Sequence, residues 1–131
     1  MMTGEEMARE SQCLELLRAR RWPQGIRCPR CSAERWRVHA RPRASARLKY
    51  RCLQCRRVFN DLTGTAFAKS RLPLWKWFDC AGKLREGNAT CAQLAGRLGV
   101  KVATAWRMRA VLRRMLCDPA QSPLLLGESP P

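Results

Sequence analysis

The chain has 131 residues, 26 of them Lys or Arg against 10 Asp or Glu, for a formal net charge of +16 and a pI near 10.9. That length allows one ordinary domain or two very small ones but no large core. So strong a positive charge makes nucleic acid the expected partner. No apolar run of about 18 residues exists to cross a membrane. The N-terminus carries Glu5, Glu6 and Glu10 without an apolar stretch, which excludes a signal peptide. The expected location is therefore cytoplasmic and nucleoid-associated, with neither a membrane nor a small-molecule substrate as partner. In that reducing compartment eight cysteines point to metal or free thiols rather than disulfides.

In chain order, residues 5 to 21 read as a helix, with Met7, Cys13, Leu14 and Leu17 on one stripe and Pro23 and Gly25 ending it. Residues 26 to 60 carry paired cysteines and three strand-like runs, Trp36–His39, Leu48–Cys52 and Arg57–Asn60. A basic tip, Arg41-Pro42-Arg43-Ala44-Ser45, lies between the first two runs. Residues 62 to 72 form a connector turning at Gly64. Pro73 suits a first helical turn, and the stripe Leu74, Trp77, Phe78, Ala81 and Leu84 follows until Gly87-Asn88 breaks it. From Asp118 onward four prolines predict a disordered tail.

Cys28-Pro29-Arg30-Cys31 and Cys52-Leu53-Gln54-Cys55 are two C-x-x-C pairs twenty residues apart. A two-residue spacer turns both thiolates of a pair toward one Zn²⁺, and two such knuckles close a tetrahedral site. Arg27, Arg30, Arg51, Arg56 and Arg57 lie close enough in sequence to favour thiolates and offset the charge of a four-thiolate centre. A redox dithiol instead predicts one pair at the start of a helix in a βαβ unit, which strand-like flanks on both pairs do not fit. The expected cofactor is one structural zinc ion, held by Cys28, Cys31, Cys52 and Cys55. Cys13, Cys80, Cys91 and Cys117 have no paired spacing and read as small buried hydrophobes. His39 reads as an ordinary strand residue.

Thr90 and Gln93 form a capping box, Leu94 and Leu98 bury a short helix, and Gly99 permits a left-handed turn into a second helix from Val102 to about Leu116. On that helix Val102, Ala105, Met108, Leu112, Met115 and Leu116 share one face, and Ala103, Thr104, Arg107, Ala110 and Arg114 the other. This is the division a helix-turn-helix reader requires. Small residues allow close approach, and Arg reaches guanine edges or phosphates. The expected DNA-contacting residues are Lys101, Ala103, Thr104, Arg107 and Arg114, with Arg113 also near the backbone. Lys101 replaces the usual Ser cap, losing on the order of 1 kcal/mol while adding a phosphate contact. Trp77 and Trp106 are expected in the core, and Trp36 is left open between core and single-strand stacking.

Together these residues resemble the N-terminal half of insertion-sequence transposases that begin with a zinc ribbon. Arg21 through Cys31 resembles the entry to the first knuckle, and Tyr50 through Arg56 the second. Phe59 through Thr65 and Ser70 through Leu74 resemble the connector, and Thr104 through Met108 with Leu112-Arg113 the recognition helix. Ser32 departs from the Gly usual after the first knuckle. The resemblance implies binding of double-stranded DNA at terminal inverted repeats, with other transposase subunits as further partners. It also implies a following RNase H-like domain with an acidic triad. Here the aspartates are Asp61, Asp79 and Asp118 alone, and no strand-helix alternation follows Asp118. The sequence therefore reads as truncated before that domain, with no catalytic residues and no enzymatic activity of its own.

The expected fold is a small metal-binding α+β architecture. Its parts are an N-terminal helix (1–25), a three-stranded zinc ribbon (26–61), a connector (62–72), a helix-turn-helix unit (73–117) and a disordered tail (118–131). The expected function is sequence-specific DNA binding. The alternative is a non-catalytic interaction module, or a relic, that binds transposase or nucleic acid without sequence preference.

Overall fold

The computed structural model describes residues 3–40, 47–68, 70–87 and 89–126. Helix α1 (Gly4–Arg21) is followed by strands β1 (Trp36–Ala40), β2 (Lys49–Cys52) and β3 (Val58–Asn60). Four helices complete it: α2 (Leu74–Glu86), α3 (Cys91–Leu98), α4 (Val102–Cys117) and α5 (Ser122–Leu126). The three strands make one antiparallel sheet in the order β1-β2-β3. The three strand-like runs of the sequence thus reappear within a residue or so of their expected ends, and the Arg41–Ser45 tip lies outside the described residues.

Helix α1 begins with a capping box that the sequence reading passed over, Thr3 with Glu6. Its buried stripe is Glu10, Leu14 and Leu17, with Met7 and Cys13 only half-buried. Glu10 is an acid inside that stripe because it has work to do on another helix. Pro73 is the N-cap of α2 and offers no side-chain hydrogen bond. The exposed donors are taken over by Glu10, whose Oε2 and Oε1 accept the N–H of Leu74 and of Trp75, both at 2.9 Å. A carboxylate at a helix N-terminus also meets the favourable end of the helix dipole.

The core divides in two. The larger part gathers Leu14 and Leu17 of α1, Leu62 and Phe67 of the connector, and the inward faces of α2, α3 and α4. The smaller part lies inside the ribbon and consists of Tyr50, Phe59, Ala33, Cys28 and Cys52, flanked by Trp22 and Trp36. Trp36 is one of these flanking rings. It shares the inner face of the sheet with Tyr50, at 5.3 Å between ring centroids, and packs partly buried against the ribbon core.

Two expectations are corrected here. The described part of the segment from Asp118 contains helix α5, whose Leu124 and Leu125 are buried against the helical core. Gln121 Oε1 accepts the Ala66 N–H at 2.8 Å, and the Leu124 carbonyl accepts from Arg20 at 3.0 Å. Cys117, expected to be buried, is exposed.

The two cores meet at Asp61, which is fully buried just after β3. Its carboxylate accepts from Arg18 Nε and Nη2, both at 2.7 Å, from the Tyr50 hydroxyl at 2.6 Å and from the Leu48 N–H at 3.0 Å. Arg21 donates to the backbone carbonyls of Asp61 and Thr63. Burial and the hydrogen bond to Asp61 both push the Tyr50 hydroxyl well above the usual tyrosine range, so it remains a donor. Removing one member of such a buried pair is costly, because its partner is left desolvated and unmatched. Asp61→Asn should therefore lower unfolding stability by about 3 kcal/mol, read from the urea midpoint of the zinc-loaded protein. A change within experimental error would show that the two halves do not depend on this carboxylate.

Candidate metal centre and basic helix face

Each C-x-x-C pair sits on a tight turn with matching backbone geometry. In the first, the Ser32 N–H donates to the Cys28 carbonyl at 2.9 Å, and the Cys28 N–H to the Ala33 carbonyl at 3.0 Å. In the second, the Cys52 N–H donates to the Arg57 carbonyl at 2.9 Å. Sulfur accepts in both turns: Cys28 Sγ from the Arg30 N–H, and Cys52 Sγ from the Gln54 and Cys55 N–H, all at 3.4 Å. The residue after each second cysteine, Ser32 (φ 61°) or Arg56 (φ 66°), lies in the left-handed region.

These turns bring the four sulfurs of Cys28, Cys31, Cys52 and Cys55 within 4.8 Å of one another. The Cys28–Cys55 and Cys31–Cys52 separations are 3.6 and 3.5 Å. A tetrahedron with Zn–S near 2.3 Å has edges of about 3.8 Å, so the donor set fits one zinc ion. Four thiolates leave no open position, and the metal's contribution is structural: a cross-link between the two turns. Without a cation the four sulfurs cannot all ionise together. Cys52 is drawn down to about 6, first by the Cys55 N–H against the opposing effect of burial. Cys31 stands at about 11, where burial and its three cysteine neighbours outweigh the Ala33 N–H. A bound zinc ion would hold all four as thiolates, with protons released on binding.

The remaining cysteines behave differently. Burial raises Cys13 and Cys80 to about 11, each helped by a nearby acid, Glu10 and Asp79 respectively. His39 is exposed on β1 and is absent from the cysteine cluster.

Helices α3 and α4 form the second candidate region. The Thr90 hydroxyl accepts the Gln93 N–H at 3.1 Å, and Gln93 Oε1 accepts the Thr90 N–H at 2.9 Å, completing the expected capping box. Gly99 has φ 67°, and Lys101 caps α4 without a side-chain bond. The buried line of α4 is Ala105, Met108, Leu112 and Met115.

The outward face of α4 differs from expectation by a small rotation. Lys101, Ala103, Arg107 and Arg114 are exposed as expected, and Thr104 is half-buried. Val102 and Trp106, both expected inside, are 48 % and 57 % exposed. The reason is helical phase. Trp106 lies 100° beyond Ala105, outside the arc spanned by the buried line. The Arg109 guanidinium covers one side of its ring at 5.2 Å and donates to Cys91 Sγ at 3.7 Å. Arg113 joins the same outward face. The helical phase of Trp106 was the signal that could have placed it outside.

Two outcomes test the metal centre. Replacing Cys52 and Cys55 by Ser should abolish stoichiometric zinc and unfold the ribbon, followed by metal analysis and near-UV circular dichroism. Zinc retained at one equivalent in a native-like fold would refute the ligand assignment. Ser32→Gly should stabilise the zinc-loaded ribbon by about 1 kcal/mol, since glycine carries no side-chain penalty in the left-handed region. A loss of stability would place the Ser32 side chain in an interaction of its own.

Comparison with known proteins agrees with this geometry. The transposase zinc-ribbon domain family matches residues 8–58, from within α1 to the start of β3. A protein of the transposable element ISH50 in Halobacterium salinarum is 35 % identical over 107 residues, which cover 82 % of this chain. The match spans 36 % of that relative's own length. No solved structure matches the chain. The four-cysteine centre on two matched turns, the family match over residues 8–58 and the ISH50 relative together make this chain a protein related to insertion-sequence transposases, with a zinc ribbon in its N-terminal part.

Proposed function

We propose that the chain is the DNA-binding part of a transposition protein. It reads duplex DNA at the terminal inverted repeats of its element through α3 and α4 acting as a helix-turn-helix. The observation that carries the reading is the outward face of α4. It holds Ala103, Arg107, Ala110, Arg113 and Arg114, with Lys101 at its start, and the helix has no acidic residue.

Small side chains at 103 and 110 let the helix approach a groove closely. Arg107 then lies within the first two turns, where base edges are reached, and Arg113 and Arg114 lie farther along, nearer the phosphates. The family relation to transposable elements supports the same partner.

One observation favours a second reading. Trp106 and Val102 form an exposed apolar pair on the same face, and an exposed tryptophan is a frequent anchor at protein interfaces. On this reading α4 docks another transposase subunit, and DNA binding is non-specific.

Competition binding separates the two. Zinc-loaded protein on a labelled duplex from the ends of its element is challenged with scrambled duplex at roughly physiological salt. The DNA-reading function predicts a preference on the order of a thousandfold, reduced selectively by Arg107→Ala. Equal competition would transfer α4 to the subunit-docking role.

A further inference from the structure

The ribbon has a second face that neither the metal nor the core uses. The strand register places Arg37 directly opposite Arg51, and Arg51 opposite Val58. Lys49 and Asn60 pair on the same side, because they lie two residues from Arg51 and Val58. Tyr50, Cys52 and Phe59 point the other way, into the ribbon core. The outward face is therefore a row of cations, and the three strands contain no acidic residue. Arg37, Lys49 and Arg51 take part in no ion pair among the described residues.

Like charges directly opposite one another on a sheet are destabilising. Here the pair is held in register by the zinc turns and the aromatic core beneath it. An arrangement of this kind becomes favourable once an anion covers it, so the face is built for a polyanion.

We infer that the outward face of the three-stranded sheet, centred on Arg37 and Arg51, is a second DNA-binding surface that grips the phosphate backbone of a duplex. The class of ligand follows from what the face lacks. Binding unstacked single-stranded bases calls for exposed aromatic rings. Trp36 and Tyr50 are both on the inner side of the sheet, and the outer side offers guanidinium, ammonium and the small His39 imidazole, with Val58 and Asn60 on its third strand and no Trp, Tyr or Phe ring. Guanidinium and ammonium groups contact phosphates and position a protein without reading sequence. The inference rests on the reading that the chain binds duplex DNA, and it is independent of α4 as the sequence reader.

The test uses the full zinc-loaded chain and a scrambled duplex, with affinity measured over a series of salt concentrations. Arg37→Gln with Arg51→Gln should flatten the slope of log K against log salt by roughly 1.8, two phosphate contacts at about 0.9 each. The double variant should keep one zinc equivalent and unfold at no lower temperature, because it relieves a like-charge pair. Arg37→Lys with Arg51→Lys should restore the wild-type slope. The ratio of terminal-repeat to scrambled affinity should stay unchanged in both, which distinguishes this face from α4. An unaltered slope in a folded, zinc-loaded Gln variant would overturn the inference and leave the face to an acidic protein partner. Failure of the wild-type chain to bind duplex at all would overturn both this inference and the function on which it rests.

Discussion

The fold depends on one buried carboxylate. Asp61 is where the ribbon ends and the helical part begins, and its two oxygens satisfy an arginine of α1, a tyrosine of β2 and a backbone N–H before β2. Neither core is large, and small cores bury too little surface to be stable with much to spare. The ribbon is closed by a metal cross-link and the helical part by packing. Only a specific contact can hold one against the other in a single orientation. A buried ion pair adds little net stability against an apolar replacement of similar shape. Its value here is geometric, since one carboxylate ties Arg18 of α1 to Tyr50 and Leu48 of the ribbon at once.

Glu10 plays the same part inside the helical core. Pro73 leaves α2 without a side-chain cap, and the donors at its start are satisfied from α1, which is thereby fixed in register against α2. This explains why the N-terminal helix, read in sequence as a separate leading segment, is an integral layer of the helical core. The zinc-ribbon family match likewise begins within α1. The helix supplies Arg18 and Arg21, which anchor the far end of the ribbon.

What could be read in the sequence was local. Cysteine spacing, the Thr90–Gln93 capping box, Gly99 and the alternating strand runs each carry their signal within a few residues, and each reappears in the structure. Glu10 and Asp61 were not legible, because their partners lie 64 and 43 positions away and nothing in the intervening chain marks the pairing. The connector was read as a linker, yet Leu62 and Phe67 are buried in the helical core, since short apolar interruptions carry no period of their own. The proline-rich end was judged by composition, which overlooked the gain from burying Leu124 and Leu125. The outward face of α4 was placed nearly right. Assigning Trp106 to the core relied on residue type where helical phase decides.

The metal centre and the two basic faces are coupled by electrostatics. Cysteine thiolates around one Zn²⁺ carry formal charge −2, while the sheet above them holds Arg37 and Arg51 side by side. Closing the ribbon therefore forces cations together that an unfolded chain would keep apart, and part of the free energy of metal binding is used to hold them there. An anion that covers the sheet removes this opposition. By linkage, any ligand that prefers the ordered face tightens zinc, and zinc raises the affinity for that ligand by the same factor. The high charge of the chain follows the same logic. A cation left unpaired after folding is a standing cost in isolation, and it becomes affinity once counterions are released from a phosphate backbone. A surface of this kind gives strength and salt dependence without sequence preference. On the proposed function, discrimination falls to the few side chains of α4 that enter a groove.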